Sequence, residues 1–166
     1  VEIQPDMADM AARSMAMNGL NEKIRVLPGD LRSIRTLLPH ARYDLVTCNP
    51  PYGKAGGTLL NPDASKRLAR HEESCAIEDV ACAATWLLQK GGRLCCVFPA
   101  ARMIELSDAM RKYRMAPKRI RMVHSRVEKA AHLCLMEGML DARPGLIIEP
   151  PLVIYDENNA YTPELR

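Results

Sequence analysis

The spacing of apolar and polar positions changes period several times along this chain of 166 residues. PDMADMAARSMAMNGL carries Met7, Met10, Ala11, Met15 and Met17 at roughly helical spacing, and Asn18-Gly19 predicts its stop. KIRVLPGD then reads as a strand ending at Gly29-Asp30, LRSIRTLL as a helix closed by Pro39, and YDLVTC as a strand. After a polar stretch rich in Gly and Pro, AIEDVACAATWLLQK predicts an amphipathic helix, with Gly91-Gly92 as a left-handed cap. RLCCVFP is a strand and MIELSDAMRKY a helix, with Pro117 after it. RIRMVHS and AAHLCLMEGML follow as two strands joined by the polar RVEK. GLIIEPPLVIY, broken by Pro150-Pro151, is expected to cap the sheet as an edge strand.

Helices and strands that alternate predict an α/β fold: a parallel sheet with helices on both faces. Two strands in succession near the end predict an antiparallel hairpin on that sheet. The opening VEIQP reads as the last turn of a strand followed by a helix, and no G-x-G-x-x-G pattern occurs in the chain. The expectation is therefore that residues 1–166 form the C-terminal, major part of one domain, whose first strand and glycine-rich loop lie upstream.

Composition adds bounds. With 48% hydrophobic residues the chain has enough apolar side chains for one core. No apolar run approaches the roughly 20 residues that span a bilayer, and no secretory signal is visible, so a soluble cytoplasmic protein is expected. Five cysteines lie among apolar neighbours, only Cys75 is in a polar context, and there is no C-x-x-C pair or His at zinc-ligand spacing. Buried free thiols are expected, with no metal. A net charge of +3 names no partner, although KYRMAPKRIR (Lys112 to Arg121) and SKRLAR (Ser65 to Arg70) concentrate positive charge. Such clusters either neutralise phosphates or form solvated faces.

The chemistry concentrates where YDLVTC runs into Asn49-Pro50-Pro51-Tyr52. Two prolines can neither donate to a ladder nor continue a helix, so the strand must stop there. A planar amino nitrogen conjugated to a ring or carbonyl is a poor nucleophile. The side-chain carbonyl of Asn49 and the main-chain carbonyl of Pro50 can accept both of its N–H bonds, concentrate electron density on nitrogen and aim it at an electrophile. Tyr52 offers a face on which a planar substrate can stack. In open α/β sheets ligands bind at the carboxyl ends of strands, where Glu2, Asp30 and Asn49 sit. Glu2 can take hydrogen bonds from a ribose diol, and Asp30 can accept from an exocyclic amine such as that of adenine. A helix cap accounts for Asp30 equally well, and Glu2 also reads as a solvated chain end.

Asn-Pro-Pro-Tyr after an apolar strand resembles the S-adenosylmethionine-dependent, Rossmann-like (class I) methyltransferases that act on amino groups. The resemblance implies cofactor contacts from Glu2 to the ribose, from Asp30 and its neighbour Leu31 to the adenine side, and from Asn49. Within that class VEIQPDMADMAARSMAMNGL, GDLR, NPPYGKAG, ARHEE and EPPLVIYDENNAYTPELR, in this order, are most similar to the bacterial tRNA1(Val) adenine-N6 methyltransferases. That family implies methylation of N6 of an anticodon-loop adenine in tRNA, with Asn49, Pro50 and Tyr52 at the reacting amine. Pro51, Tyr52, Arg70 and His71 are then on the substrate side; Arg70, His71 and Glu72 also read as a device that ties the loop down by ion pairing. The same tetrapeptide serves N5-methylation of a protein glutamine, as in release factors, and DNA adenine methylation. A fragment that does not bind cofactor is the reading from a different class.

Overall fold

The structure is a computed structural model, and it describes residues 1–50 and 75–165. Its elements are α1 (Pro5–Met17), α2 (Ile34–Leu37), β1 (Tyr43–Cys48), α3 (Ile77–Leu87), β2 (Leu88–Pro99), α4 (Met103–Lys112), β3 (Met115–His124), β4 (Ala131–Leu140), β5 (Ile147–Ile148) and β6 (Leu152–Val153). The strands form one sheet in the order β1-β2-β4-β3-β5, with β6 also on β3. β1 is parallel to β2, β4 is antiparallel to both β2 and β3, and β5 and β6 run parallel to β3. β1, β2 and β3 therefore point the same way, and their carboxyl ends share one edge.

The mixed α/β sheet and its antiparallel β3–β4 pair are as the sequence predicts. The turn between them spans the polar RVEK, where the Lys129 N–H donates to the Arg126 carbonyl. The final apolar segment docks on β3 in two pieces because Pro150-Pro151 cannot donate to the ladder between Ile148 and Leu152.

α1 starts with Pro5 in its first turn, where a missing N–H costs nothing, and stops at Asn18 and the left-handed Gly19, φ 65°. Its inward side is narrower than the apolar spacing suggests. Ala8 is buried and Ala11 and Met15 are half-buried, but Met7, Met10 and Met17 stay exposed.

Two boundaries differ from expectation. KIRVLPGD forms no ladder: one parallel bridge joins Pro28 to Glu2, through Glu2 N–H to the Leu27 carbonyl and Gly29 N–H to the Glu2 carbonyl, both 2.9 Å. Pro28 has no N–H to extend the pairing. The helix beginning at Ile77 ends at Leu87, before Gly91, and the chain passes directly into β2. Gly91 does adopt a left-handed φ of 79°, yet inside β2, where the pairing with β1 skips from Tyr43↔Leu88 to Leu45↔Arg93. Its freedom serves an irregularity in the strand. At Gly92 a Cβ would lie 2.9 Å from the Gln89 carbonyl and 3.1 Å from that of Tyr43, so a side chain is shut out by backbone.

The main core lies between one sheet face and α3 and α4. Leu94, Cys96 and Phe98 of β2 and Cys134 and Met136 of β4 meet Val80, Ala81, Ala84, Leu106 and Met110. Ile34 of α2 joins Ala83 and Leu87 of α3 beside it. These side chains alternate with half-exposed ones along β2 and β4, the period-two pattern of a sheet with one face fully packed.

Candidate functional site at the carboxyl edge of the parallel strands

Five candidates lie among the described residues: Asn49 and Pro50 after β1, and Glu2, Asp30 and Leu31 around the bridge at Pro28. Val46 and Cys48 of β1 pack against the main core, which fixes the strand end. Asn49 is the next residue, exposed beyond that end, and Pro50 behind it is buried. Such a pair gives a rigid backbone and a presented amide. Asn49 also lines a groove of about 520 Å³ with Thr47, Cys95, Val97, Leu135 and Glu137, on the sheet face away from α3 and α4. Beneath Asn49 the environment is apolar: burial pushes the Cys48 thiol up to about 11, and burial raises that of Cys96 as well. All six cysteines are free thiols, but only Cys96 and Cys134 are buried; the other four are half-buried, so the expected burial holds for two.

Asp30 follows the bridged Pro28-Gly29 and caps a 3-10 turn, Leu31–Ser33, accepting the Arg32 N–H at 2.8 Å. The Arg32 side chain pairs with the same carboxylate, Nη2 to Oδ2 at 2.5 Å and Nε at 2.9 and 3.1 Å. Those hydrogen bonds hold the Asp30 carboxyl below its ordinary range. An incoming amine would thus share Asp30 with Arg32. Leu31 packs against both core clusters, which anchors the turn. Glu2, bridged to Pro28, reaches the same level as Asp30, and its Oε1 accepts the Gln4 N–H at 2.8 Å at the start of α1. Asp30 thus caps a turn and Glu2 receives the Gln4 N–H just before α1, and the strand ends expected at both positions reduce to one isolated bridge. Pro51, Tyr52, Arg70 and His71 lie outside the described residues, as do SKRLAR and ARHEE.

Arg102 stands where the turn Ala100–Arg102 leaves β2. Its guanidinium lies 5.1 Å from the centroid of the Phe98 ring and donates to Glu105 through Nη2 at 2.8 Å and Nε at 3.2 Å.

The basic cluster from Lys112 to Arg121 has a different role from the phosphate-binding one considered above. Lys112 pairs with Glu78 at 2.7 Å, Arg114 with Asp141 at 2.6 Å, Arg119 with Glu149, and Arg121 with Glu164 at 2.5 Å. Arg121 Nε also donates to the Pro150 carbonyl at 2.9 Å, and Lys118 to that of Arg143 at 3.2 Å. Lys112 thus joins the two core helices, and the other four tie the chain after β4 to β3 and the turn before it. Among the described residues there is no cluster of His, Cys, Asp and Glu able to hold a metal, and no helix long and apolar enough to cross a membrane.

A mixed α/β sheet of this order is the fold of the Rossmann-like methyltransferases. The fold matches the crystal structure of a predicted O-methyltransferase from Agrobacterium tumefaciens with a TM-score of 0.77 and 22% identity, over 99% of this chain and 72% of that one. It also matches the M protein of the type I restriction enzyme EcoKI, with a TM-score of 0.55 and 15% identity, over 98% of this chain and 38% of that one. In sequence the chain is similar to curated tRNA1(Val) (adenine(37)-N6)-methyltransferases. Identity is 30% to the protein of Porphyromonas gingivalis and 32% to that of Tolumonas auensis, in each case over 99% of this chain. The chain spans 65% and 66% of the length of those two relatives. No protein-family model matches.

Proposed function

We propose that this chain belongs to an enzyme that transfers a methyl group from S-adenosylmethionine to N6 of adenine 37 in tRNA1(Val). The observation that carries the reading is Asn49-Pro50 at the carboxyl end of β1, in a chain similar over 99% of its length to enzymes named for that reaction. Glu2 and Asp30 flank the bridge at Pro28, and each carboxylate is an acceptor of the kind that a ribose diol or an adenine amine calls for. The cofactor supplies an electrophilic methyl group. The protein supplies geometry and polarisation: the Asn49 amide oxygen and the Pro50 carbonyl accept the two N–H bonds of the target amine, and Tyr52 stacks on its ring. Methyl transfer forms the N–C bond as the methyl–sulfur bond breaks, and the excess proton on nitrogen leaves to solvent.

The test is methyl transfer by the protein with everything its gene encodes. With methyl-labelled S-adenosylmethionine, tRNA and total protein from cells lacking the enzyme are offered together with unmethylated DNA. Label recovered as N6-methyladenosine in tRNA is the expected result. Label in a protein amide would keep the Asn-Pro-Pro-Tyr chemistry and overturn the acceptor.

A further inference from the structure

We infer that Arg32 is a positioning residue for the cofactor's adenine: its side chain holds the Asp30 carboxylate so that one acceptor site stays open for the exocyclic amine. This rests on the reading of Asp30 as the adenine acceptor. Three observations carry it. The first is the count of donors. Among the described residues three N–H groups reach the carboxylate: the Arg32 main-chain N–H at 2.8 Å, Nη2 at 2.5 Å, and Nε, shared between Oδ2 at 2.9 Å and Oδ1 at 3.1 Å. A carboxylate offers about four lone-pair sites, so about one is left, enough for a single N–H of an amine.

The second is rigidity. Leu31, between the two residues, packs against both core clusters, and the Ser33 N–H closes the turn on the Asp30 carbonyl at 2.9 Å. On that anchored turn the carboxylate cannot rotate without breaking the planar guanidinium fork, a geometry that a lysine does not supply. An acceptor already held loses little freedom when a ligand binds it. Arg121 offers the contrast: its partner Glu164 lies 43 residues away, so that pair joins two segments. Arg32 and Asp30 are two residues apart, and what their pair fixes is local, the turn and the orientation of the carboxylate. The third is place. The Asp30 side chain keeps 28% exposure beside its partner, so the open site can be reached from solvent. Leu31 and Val46 of β1 pack against the same two clusters, which sets the turn beside the strand that leads to Asn49.

The experiment is calorimetric titration of the protein, with everything its gene encodes, as wild type, Arg32→Met, Arg32→Lys and Asp30→Asn. Two ligands are used: S-adenosylhomocysteine, and S-inosylhomocysteine, in which a carbonyl oxygen replaces the amine. The wild type should prefer the adenosyl ligand about tenfold, the scale of one hydrogen bond left unmade. Arg32→Met should bind the adenosyl ligand about threefold more weakly, the scale of an exposed pair, and bind the inosyl ligand as the wild type does. Arg32→Lys, which keeps the charge without the fork, should resemble Arg32→Met, and Asp30→Asn should lose the preference. If Asp30→Asn loses it while Arg32→Met keeps it or binds the adenosyl ligand more tightly, the role of Arg32 is overturned and Asp30 stands. A loss shared equally by both ligands, or full rescue by lysine, would also overturn it, since a loosened turn does not tell an amine from an oxygen and a charge alone is not a fork. An unchanged preference in Asp30→Asn would overturn the Asp30 reading, and the role of Arg32 with it.

Discussion

The two ends of this sheet use polar side chains in opposite ways. At the β3 side five cations fall within ten residues, Lys112 to Arg121, and the side chains of four meet carboxylates and the fifth a main-chain carbonyl. Among the described residues, the polar candidates near the carboxyl end of β1 are few and far apart in sequence: Asn49 follows the strand, Asp30 caps a turn and Glu2 lies on an isolated bridge. The dense cluster holds the fold together, and the sparse one is where the proposed ligands would bind. Local density of charge is thus a poor guide to a binding surface, because a cation's partner decides what it does. Position at the end of a parallel strand is the better guide, since the side chain there is anchored by a packed strand and opens onto solvent.

Removing Asn49 is the hardest test of this contrast. Asn49→Ala should lower turnover at least about 100-fold, the scale of one positioned polar group at roughly 3 kcal/mol, and leave cofactor affinity nearly unchanged. Single-turnover rates and a cofactor titration check both halves, and equal activity would sink the mechanism. The dry floor under Asn49 gives the next test. With its thiol at about 11 against an ordinary 9.0, Cys48 should hold about a hundredfold less thiolate at neutral pH than an exposed cysteine. Alkylation followed by mass spectrometry from pH 7 upward should show Cys48 reacting only at strongly alkaline pH; ready labelling at pH 7 would mean that the strand end is open.

Smaller effects sharpen the same division. Gly92→Ala should destabilise by about 1–3 kcal/mol in a urea melt, because the neighbours that its Cβ would meet include two backbone carbonyls. Arg119→Ala and Arg121→Ala should lower the melting temperature slightly, and leave tRNA affinity as it was. A clear loss of affinity in either would put the β3 cluster back on the binding surface. Asp30 provides the smallest effect. Its carboxyl is held below 3.8 by Arg32, so the pair's contribution is present above that pH and is lost as pH falls through the lowered value. The stability difference between wild type and Asp30→Asn should accordingly shrink in acid. A difference that persists there would mean that the Arg32 pair is not its source.

Much of the fold was legible because its signals are local. Asn18-Gly19 marks the end of α1, YDLVTC is β1 residue for residue, and the polar RVEK separates β3 from β4. The missed boundaries depended on neighbours. Gly91 carries the left-handed φ expected of a helix cap, but the pairing with β1 draws the chain into strand at Leu88. KIRVLPGD has strand composition, and pairs with the rest of the described chain only at Pro28. Of the candidate site, the strand stop before Asn49 was readable from Pro50-Pro51, whereas the strand expected before Asp30 is only a single bridge. The pairing of the basic cluster was not readable, since Arg119 and Arg121 find Glu149 and Glu164 at separations of 30 and 43 residues.

The central claim is that the strand end at Asn49 presents an adenine amine for methylation. Two tRNA1(Val) transcripts, one natural and one with guanine replacing adenine 37, test it most directly when each is incubated with the enzyme and methyl-labelled S-adenosylmethionine. Label on the first alone, released as N6-methyladenosine, is the predicted result. Equal label on both, or label on neither with a protein amide methylated instead, would contradict it.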